Sequence, residues 1–356
     1  MSHDARAEAF CGRFGLGRPV LLAPMAGSCP TALSIAVANA GGLGGCGALL
    51  MKPSAIVQWA RDVRAQSNGA FQINLWIPDP PPLRDPEHER HVRAFLASWG
   101  PSVAPEAGSG NPPDFAKQCD ALIEAGAPVV SSVMGLFAPD YVRQLKSKGI
   151  AWFAVATTVG EAVAAEAAGA DVIVAQGMEA GGHRGAFDAR HAERDMVGLF
   201  SLLPAVVDAV KVPVVATGGI ADGRGVAAAF VLGASAVQIG TAFLRCPEAG
   251  IPRAWADALA HTRPEETLVS RVFSGRPGRS IATSYVRAAT SPDAPLPAPY
   301  PVQRGLTAPM RKAATAADNI DGLQAWAGQS AALARAIPAG ELVERLWNDA
   351  LVLLRA

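Results

Sequence analysis

The chain is short of charge. Asp, Glu, Lys and Arg make up only 17% of its 356 residues, against roughly 25% in an ordinary soluble domain. The 31 basic residues balance the 31 acidic ones. A formal charge of zero without a basic stripe argues against nucleic acid as the main partner. The 50% hydrophobic content excludes a disordered chain. Cysteine is scarce too. Cys11, Cys29, Cys46, Cys119 and Cys246 are odd in number and contain no CxxC pair, so neither a disulfide framework nor a zinc site is indicated. A reducing cytoplasm fits, with most of the cysteines acting as small buried hydrophobes. Glycine (36) and proline (28) together stay below the level of a low-complexity chain. Residues 1–10 carry Asp4, Arg6 and Glu8 and lack the apolar core of a signal peptide.

Residues 19–51 contain no charge at all, and length alone would let them cross a bilayer. They also contain Pro24, Pro30, clustered glycines, Ser28, Thr31, Ser34 and Asn39. A spanning helix requires uniform apolarity and an unbroken backbone ladder. The segment therefore reads as the buried core of a soluble protein, with no membrane partner.

Short apolar runs alternate with amphipathic stretches. The strand-like runs are 20–23, 43–46, 71–75, 129–133, 152–156, 172–175, 214–217 and 236–239. Helical periodicity occupies 31–40, 54–66, 115–125, 140–148, 159–168, 202–210 and 223–232. Strands this short and apolar are buried on both faces, as in a parallel sheet. Eight β-then-α units predict an α/β protein with a closed (β/α)8 barrel; an open doubly wound sheet is the alternative. Two segments break the rhythm. Residues 78–113 are proline-rich and read as a long loop with a short helix. Residues 245–321 follow the eighth strand without βα alternation. The expected organisation is a barrel of 1–244 and 323–356 with a smaller cap, 245–322, inserted after the eighth strand. From 323 onward the sequence reads again as alanine-rich helix. Leu342, Val343, Leu346, Leu351 and Leu354 form the apolar face of its last stretch, 341–354.

Glycines mark the candidate site. Gly42, Gly44 and Gly47 match G-x-G-x-x-G. That match runs through a strand instead of following one, so close packing explains it better than nucleotide binding. Thr217-Gly218-Gly219-Ile220, followed by Asp222-Gly223-Arg224-Gly225, ends the seventh strand and opens a helix; Gln238-Ile239-Gly240-Thr241 ends the eighth. In barrels these two loops commonly hold phosphate. Bare backbone N–H groups approach the oxygens there, and a helix N-terminus adds partial positive charge. Glycine also serves tight βα turns, which is the simpler alternative. After the sixth strand, Gln176-Gly177-Met178-Glu179-Ala180-Gly181-Gly182-His183-Arg184-Gly185 sets a histidine among glycines. Many loop histidines are merely solvated. At the catalytic end of a barrel, however, an imidazole against a flat ligand can exchange a proton near neutral pH. His3, His88, His91, His191 and His261 show no metal spacing.

Taken together, these loops resemble the nitronate monooxygenase family, formerly called 2-nitropropane dioxygenases. The matching residues are Leu22-Ala23-Pro24-Met25-Ala26-Gly27, Gln176-Gly177 with Ala180-Gly181-Gly182-His183, Ala216-Thr217-Gly218-Gly219-Ile220 with Asp222-Gly223-Arg224-Gly225, Gly240-Thr241, and Trp326-Ala327-Gly328-Gln329. The resemblance covers most of the chain, and the 78–113 segment and the cap fit it least. It implies a barrel holding FMN. Ala23, Pro24 and Met25 would lie beside the flavin ring. Asn74, Gln176, Gly181 and Gly182 would make further flavin contacts. Gly218, Gly219, Gln238, Gly240 and Thr241 would cradle the phosphate. His183 would be the active-site acid/base, and Tyr300 of the cap would reach the substrate. Trp76 and Phe137 would wall the pocket or fill core. The partners would be a small alkyl nitronate, propionate 3-nitronate among the candidates, and O2; the products would be a carbonyl compound and nitrite or nitrate. The alternatives are an FMN-dependent enoyl-acyl-carrier-protein reductase, which would need NAD(P)H, and a non-catalytic flavin-binding protein. The apolar cap is compatible with a homodimer.

Overall fold

The structure, a computed structural model, describes residues 2–110 and 112–356. Among the described residues, nine strands precede residue 245: β1 (Val20–Leu22), β2 (Gly44–Gly47), β3 (Phe71–Trp76), β4 (Val129–Val133), β5 (Ala151–Ala156), β6 (Val172–Gln176), β7 (Gly182–His183), β8 (Val214–Thr217) and β9 (Ala236–Ile239). All but β7 form one sheet in the order β1-β9-β8-β6-β5-β4-β3-β2, and every pairing in it is parallel. A parallel bridge between Leu21 and Leu43 brings β2 back to β1. There Leu22 N–H donates to Leu43 O at 2.8 Å and Leu43 N–H to Val20 O at 3.1 Å. The ring is closed, so the molecule is a (β/α)8 barrel and not an open sheet.

Two-sided burial explains why the strands read as unbroken apolar runs. In β5, Trp152, Ala154 and Ala156 pack outward under the helices. Phe153 and Val155 point inward with Leu21, Leu43, Val172, Val174 and Val215. Alternation of period two divides one strand between two cores. The helix His3–Phe14 closes the bottom of the barrel. Its Phe10 and Phe14 rings sit 6.2 and 5.0 Å from Phe153.

The glycine run in β2 is a packing device. A Cβ at Gly45 would lie 2.4 Å from Leu22 O, and one at Gly44 would lie 2.9 Å from Ser34 O. Glycine lets β2 press against β1 and the helix Thr31–Asn39. Gly45→Ala should therefore lower the unfolding free energy by about 1–3 kcal/mol, an overpacking cost. Gly12→Ala is the control. Its Cβ meets nothing within 4 Å on the helix His3–Phe14, so it should be neutral or stabilising by up to about 1 kcal/mol. Urea denaturation of the two variants measures the difference.

Beyond β9, strands β10 (Thr267–Ser270) and β11 (Gly278–Ile281) pair antiparallel, and β11 also pairs with β7. Val272, Phe273, Tyr285, Val302, Leu306 and Met310 share a core with Val92 and Leu96. Those last two lie on the helix Pro86–Leu96, capped by Asp85. Part of the 78–113 excursion thus packs on the 245–322 segment.

One expectation fails. Residues 323–338 are not helix; a 3-10 turn, Ala331–Leu333, interrupts an irregular path, and the final helix is Ala339–Leu354. Its backbone donors are drawn sideways instead. Ala327 N–H donates to Arg279 O and Gln329 N–H to Glu179 O, and Gly328 N–H donates to Thr241 Oγ1. Among the described residues, no helix is long and apolar enough to cross a membrane.

Candidate active site

A cavity of about 1450 Å³, open mouth included, lies over the C-terminal ends of the barrel strands, where barrels place their chemistry. It is lined by Ala23, Pro24 and Met25 after β1, Asn74 on β3, and Gln176 on β6. Gly181, Gly182 and His183 follow, with Gly218 and Gly219 after β8 and Gln238, Gly240 and Thr241 at β9. The barrel register brings these together by ending its strands at one level: Gln176 is paired with Thr217, and Thr217 with Gln238.

The amides at the strand tips are oriented from beneath. Buried Gln72 donates from Nε2 to Gln238 Oε1 at 2.9 Å and to Leu22 O at 3.1 Å. Among the described residues this leaves the NH2 of Gln238 as its unpaired end. Asn74 Nδ2 donates to Ser131 Oγ at 3.1 Å, leaving Oδ1 without a partner among the described residues. Gln176 spends its amide on the loop. Its Oε1 accepts from Gly185 N–H at 2.8 Å, and its Nε2 donates to His183 O at 3.2 Å.

The glycine loops present unused donors. Among the described residues, the N–H groups of Gly218, Gly219 and Gly240 have no acceptor. All three residues are half-buried in the cavity wall, so their N–H groups are open to a ligand with several acceptor oxygens. Gly218 has φ 110° and Gly219 has φ 71°, conformations that other residues adopt only under strain. Ser330 Oγ donates to Gly219 O at 2.5 Å and holds the turn. The neighbouring helix Gly223–Val231 does not add its N-terminus, because the Asp222 carboxylate already accepts from Arg224 and Gly225 N–H. The helix N-terminus that the sequence reading added to these loops is thus occupied by its own cap.

His183 stands between two indoles. Trp76 and Trp326 each lie 4.7 Å away, centroid to centroid, both edge-on. Its strand β7 is pinned by β11 through the pair Gly278–His183. Its Nε2 is 2.7 Å from Ser274 Oγ, which also lies 3.2 Å from both the O and the N–H of Arg276. Burial, and then the positive charges of Arg276, Arg304 and Arg311, push the His183 pKa down to about 3. The ring is neutral at physiological pH. Arg276 is itself committed, 3.1 Å from Asp79.

Tyr300 does not line the cavity. Its ring sits 5.7 Å from that of Trp76, which does. Phe137 fills core against Tyr141 and Trp152. Tyr285 donates its hydroxyl to Val272 O, and Gln303 accepts from Ala298 N–H and donates to Val272 O. Several wall residues were not singled out from sequence: Ser330, Gln324, Trp255 and Met134, with Ser274 behind His183. Met134 is a non-glycine residue at φ 67°, the strained backbone often found at functional sites. Composition and period give no sign of it. The Trp326–Gly328 stretch was visible as a motif, though helical periodicity hid its path.

A closed parallel barrel whose C-terminal cavity joins open backbone donors to a half-buried histidine of lowered pKa has its site where barrel enzymes place their chemistry. Known proteins specify it further. Residues 12–349 match the family model for nitronate monooxygenase. A nitronate monooxygenase of Paraburkholderia phytofirmans is 38% identical over 98% of this chain and 96% of its own. A probable nitronate monooxygenase of Staphylococcus haemolyticus is 36% identical over 94% and 95%. A nitroalkane oxidase from Streptomyces ansochromogenes superposes with TM-score 0.87 at 38% identity, covering 97% of this chain and 98% of that one. FabK from Thermotoga maritima is more distant, at TM-score 0.75 and 26% identity, with 98% and 97% covered. The chain belongs to the nitronate monooxygenase family, a family of flavoenzymes that oxidise nitronates.

Proposed function

We propose that the protein binds FMN and oxidises small alkyl nitronates, propionate 3-nitronate included, with O2 to carbonyl compounds and nitrite or nitrate. The observation that carries this reading is the set of three unpaired N–H groups at Gly218, Gly219 and Gly240, opposite a neutral His183. The donors suit the phosphate of FMN, and Thr241 and Gln238 stand beside them. Ala23, Pro24 and Met25 would support the flavin ring, with Asn74, Gln176, Gly181 and Gly182 around it. Bound there, FMN supplies the redox step, taking electrons from the nitronate and giving them to O2.

The protein's part is to bind and orient an anion and to hold a proton. Ser274 Oγ–H has two acceptors in reach, Arg276 O and His183 Nε2, and in the arrangement we propose it donates along the shorter contact, to Nε2. The imidazole then carries its own hydrogen on Nδ1, which has no partner among the described residues. That N–H can donate to a nitronate oxygen. A histidine with so low a pKa is a poor base for a neutral nitroalkane, because general bases work best with a pKa near the operating pH. The pocket therefore favours the ionised substrate. The 245–322 segment serves as a cap, holding His183 through β11 and keeping bulk water from the site; Tyr300 reaches the substrate only at the rim, beside Trp76.

Cofactor identity and pH dependence test the reading. The purified protein should show flavin bands, and heat should release FMN; a colourless protein that stays so with added FMN contradicts it. With preformed nitronate, kcat/KM should be flat from pH 6 to 9, since His183 is neutral throughout. With the neutral nitroalkane the rate should climb with pH as the substrate ionises. An inflection near 6.5 with nitronate would mean that His183 titrates as an ordinary imidazole.

A further inference from the structure

We propose that Arg304 is the residue that binds the anionic nitro oxygens of the substrate. The proposal rests on the nitronate reading above and adds to it the residue that selects for charge. Arg304 lies on the short helix Val302–Leu306 of the cap. Of all the residues lining the cavity, it is the one Asp, Glu, Lys or Arg. Its guanidinium has no hydrogen bond or ion pair among the described residues.

The neighbouring arginines are engaged. Arg311 donates to Thr307 Oγ1, Gln324 Oε1 and Arg304 O. Arg276 pairs with Asp79. Arg279 donates to Met178 O and Thr267 Oγ1. Arg304 alone is left aimed at the cavity, without a carboxylate to meet it.

A half-buried cation without a partner is costly. The burial is felt, for it lowers the Arg304 pKa, with Tyr300 working the other way. Because the cavity wall offers no acid, an anionic ligand meets this guanidinium without a competing carboxylate. A guanidinium presents its N–H groups in a planar fork that matches two oxygens on one atom. A nitronate has that geometry and a negative charge; a neutral nitroalkane has only the geometry. Charge recognition thus falls to Arg304, because His183 is neutral and offers at most one N–H.

The test uses the flavin-loaded protein and two inert probes, acetate and its neutral isostere acetamide, titrated calorimetrically. Wild type should prefer acetate. Arg304→Met should weaken acetate by about 10–100-fold and leave acetamide unchanged. It should also raise KM for an alkyl nitronate at least tenfold, with kcat within about threefold. Arg304→Lys keeps the charge but not the fork, and should fall between the two; should Arg304→Met not fold, Arg304→Lys and Arg304→Gln decide by the same ratio. Acetate bound equally well by wild type and the uncharged variants would overturn the proposal, as would an equal loss for acetate and acetamide. Failure of the nitronate reading looks different: wild type would not turn nitronate over, yet its preference for acetate would stay sensitive to Arg304.

Discussion

His183→Ala should lower kcat/KM for an alkyl nitronate by about 10²–10³-fold, the cost of losing one donor aimed at developing charge. The variant should still bind flavin, because the ring is not part of the backbone cradle. His183→Asn, which retains an N–H, should lose less. Ser274→Ala should fall between wild type and His183→Ala, since the hydroxyl 2.7 Å from Nε2 fixes which nitrogen carries the hydrogen. Steady-state kinetics on the three variants, at matched flavin content, give the order. Equal activity of His183→Ala and wild type would remove the histidine from the mechanism. An order with Ser274→Ala lowest would instead mean that the hydroxyl acts on the substrate directly.

The second large effect concerns the cofactor. In the double variant Gly218→Ala/Gly219→Ala, each new Cβ enters a left-handed backbone. At Gly218 it lies 3.1 Å from Ala180 N, and at Gly219 it lies 3.1 Å from the Glu179 Cβ. The loop has to shift, which would move its N–H groups off the phosphate of the proposed FMN. Each charge-assisted bond lost costs about 1.5–3 kcal/mol, so FMN affinity should fall by about 10²-fold or more. Riboflavin, which lacks the phosphate, should bind wild type and variant alike. A parallel loss of both ligands would mean that these glycines support the ring and not the phosphate.

Much of this molecule could be read from the chain, for reasons the structure makes plain. The strands were legible because a barrel buries each of them on both faces, so runs such as Val172–Gln176 stay apolar without alternating. Their order in space follows from the βα rhythm alone. The glycine loops were legible because bare backbone at a strand end leaves a compositional mark. Three things were not. The path of 323–338 is set by lateral hydrogen bonds to Glu179, Arg279 and Thr241, and these partners are far away in sequence. The occupied N-terminus of Gly223–Val231 depends on where the Asp222 carboxylate turns. The lowered pKa of His183 comes from burial together with the charges of Arg276, Arg304 and Arg311, all within residues 245–322. For the path and for the histidine the deciding partners are remote, and local pattern carries no trace of them; Asp222 is local, but only the geometry shows which N–H groups its carboxylate accepts. Tyr300 is set by a similarly distant neighbour: its ring lies 5.7 Å from that of Trp76.

The most direct test of the central claim is anaerobic mixing of the flavin-loaded protein with an alkyl nitronate or with NADH, followed by flavin absorbance in a stopped-flow instrument. The nitronate should change the flavin spectrum within the turnover time, and readmitted O2 should restore it with release of nitrite; NADH should do little. Rapid bleaching by NADH, with no response to the nitronate, would contradict the account.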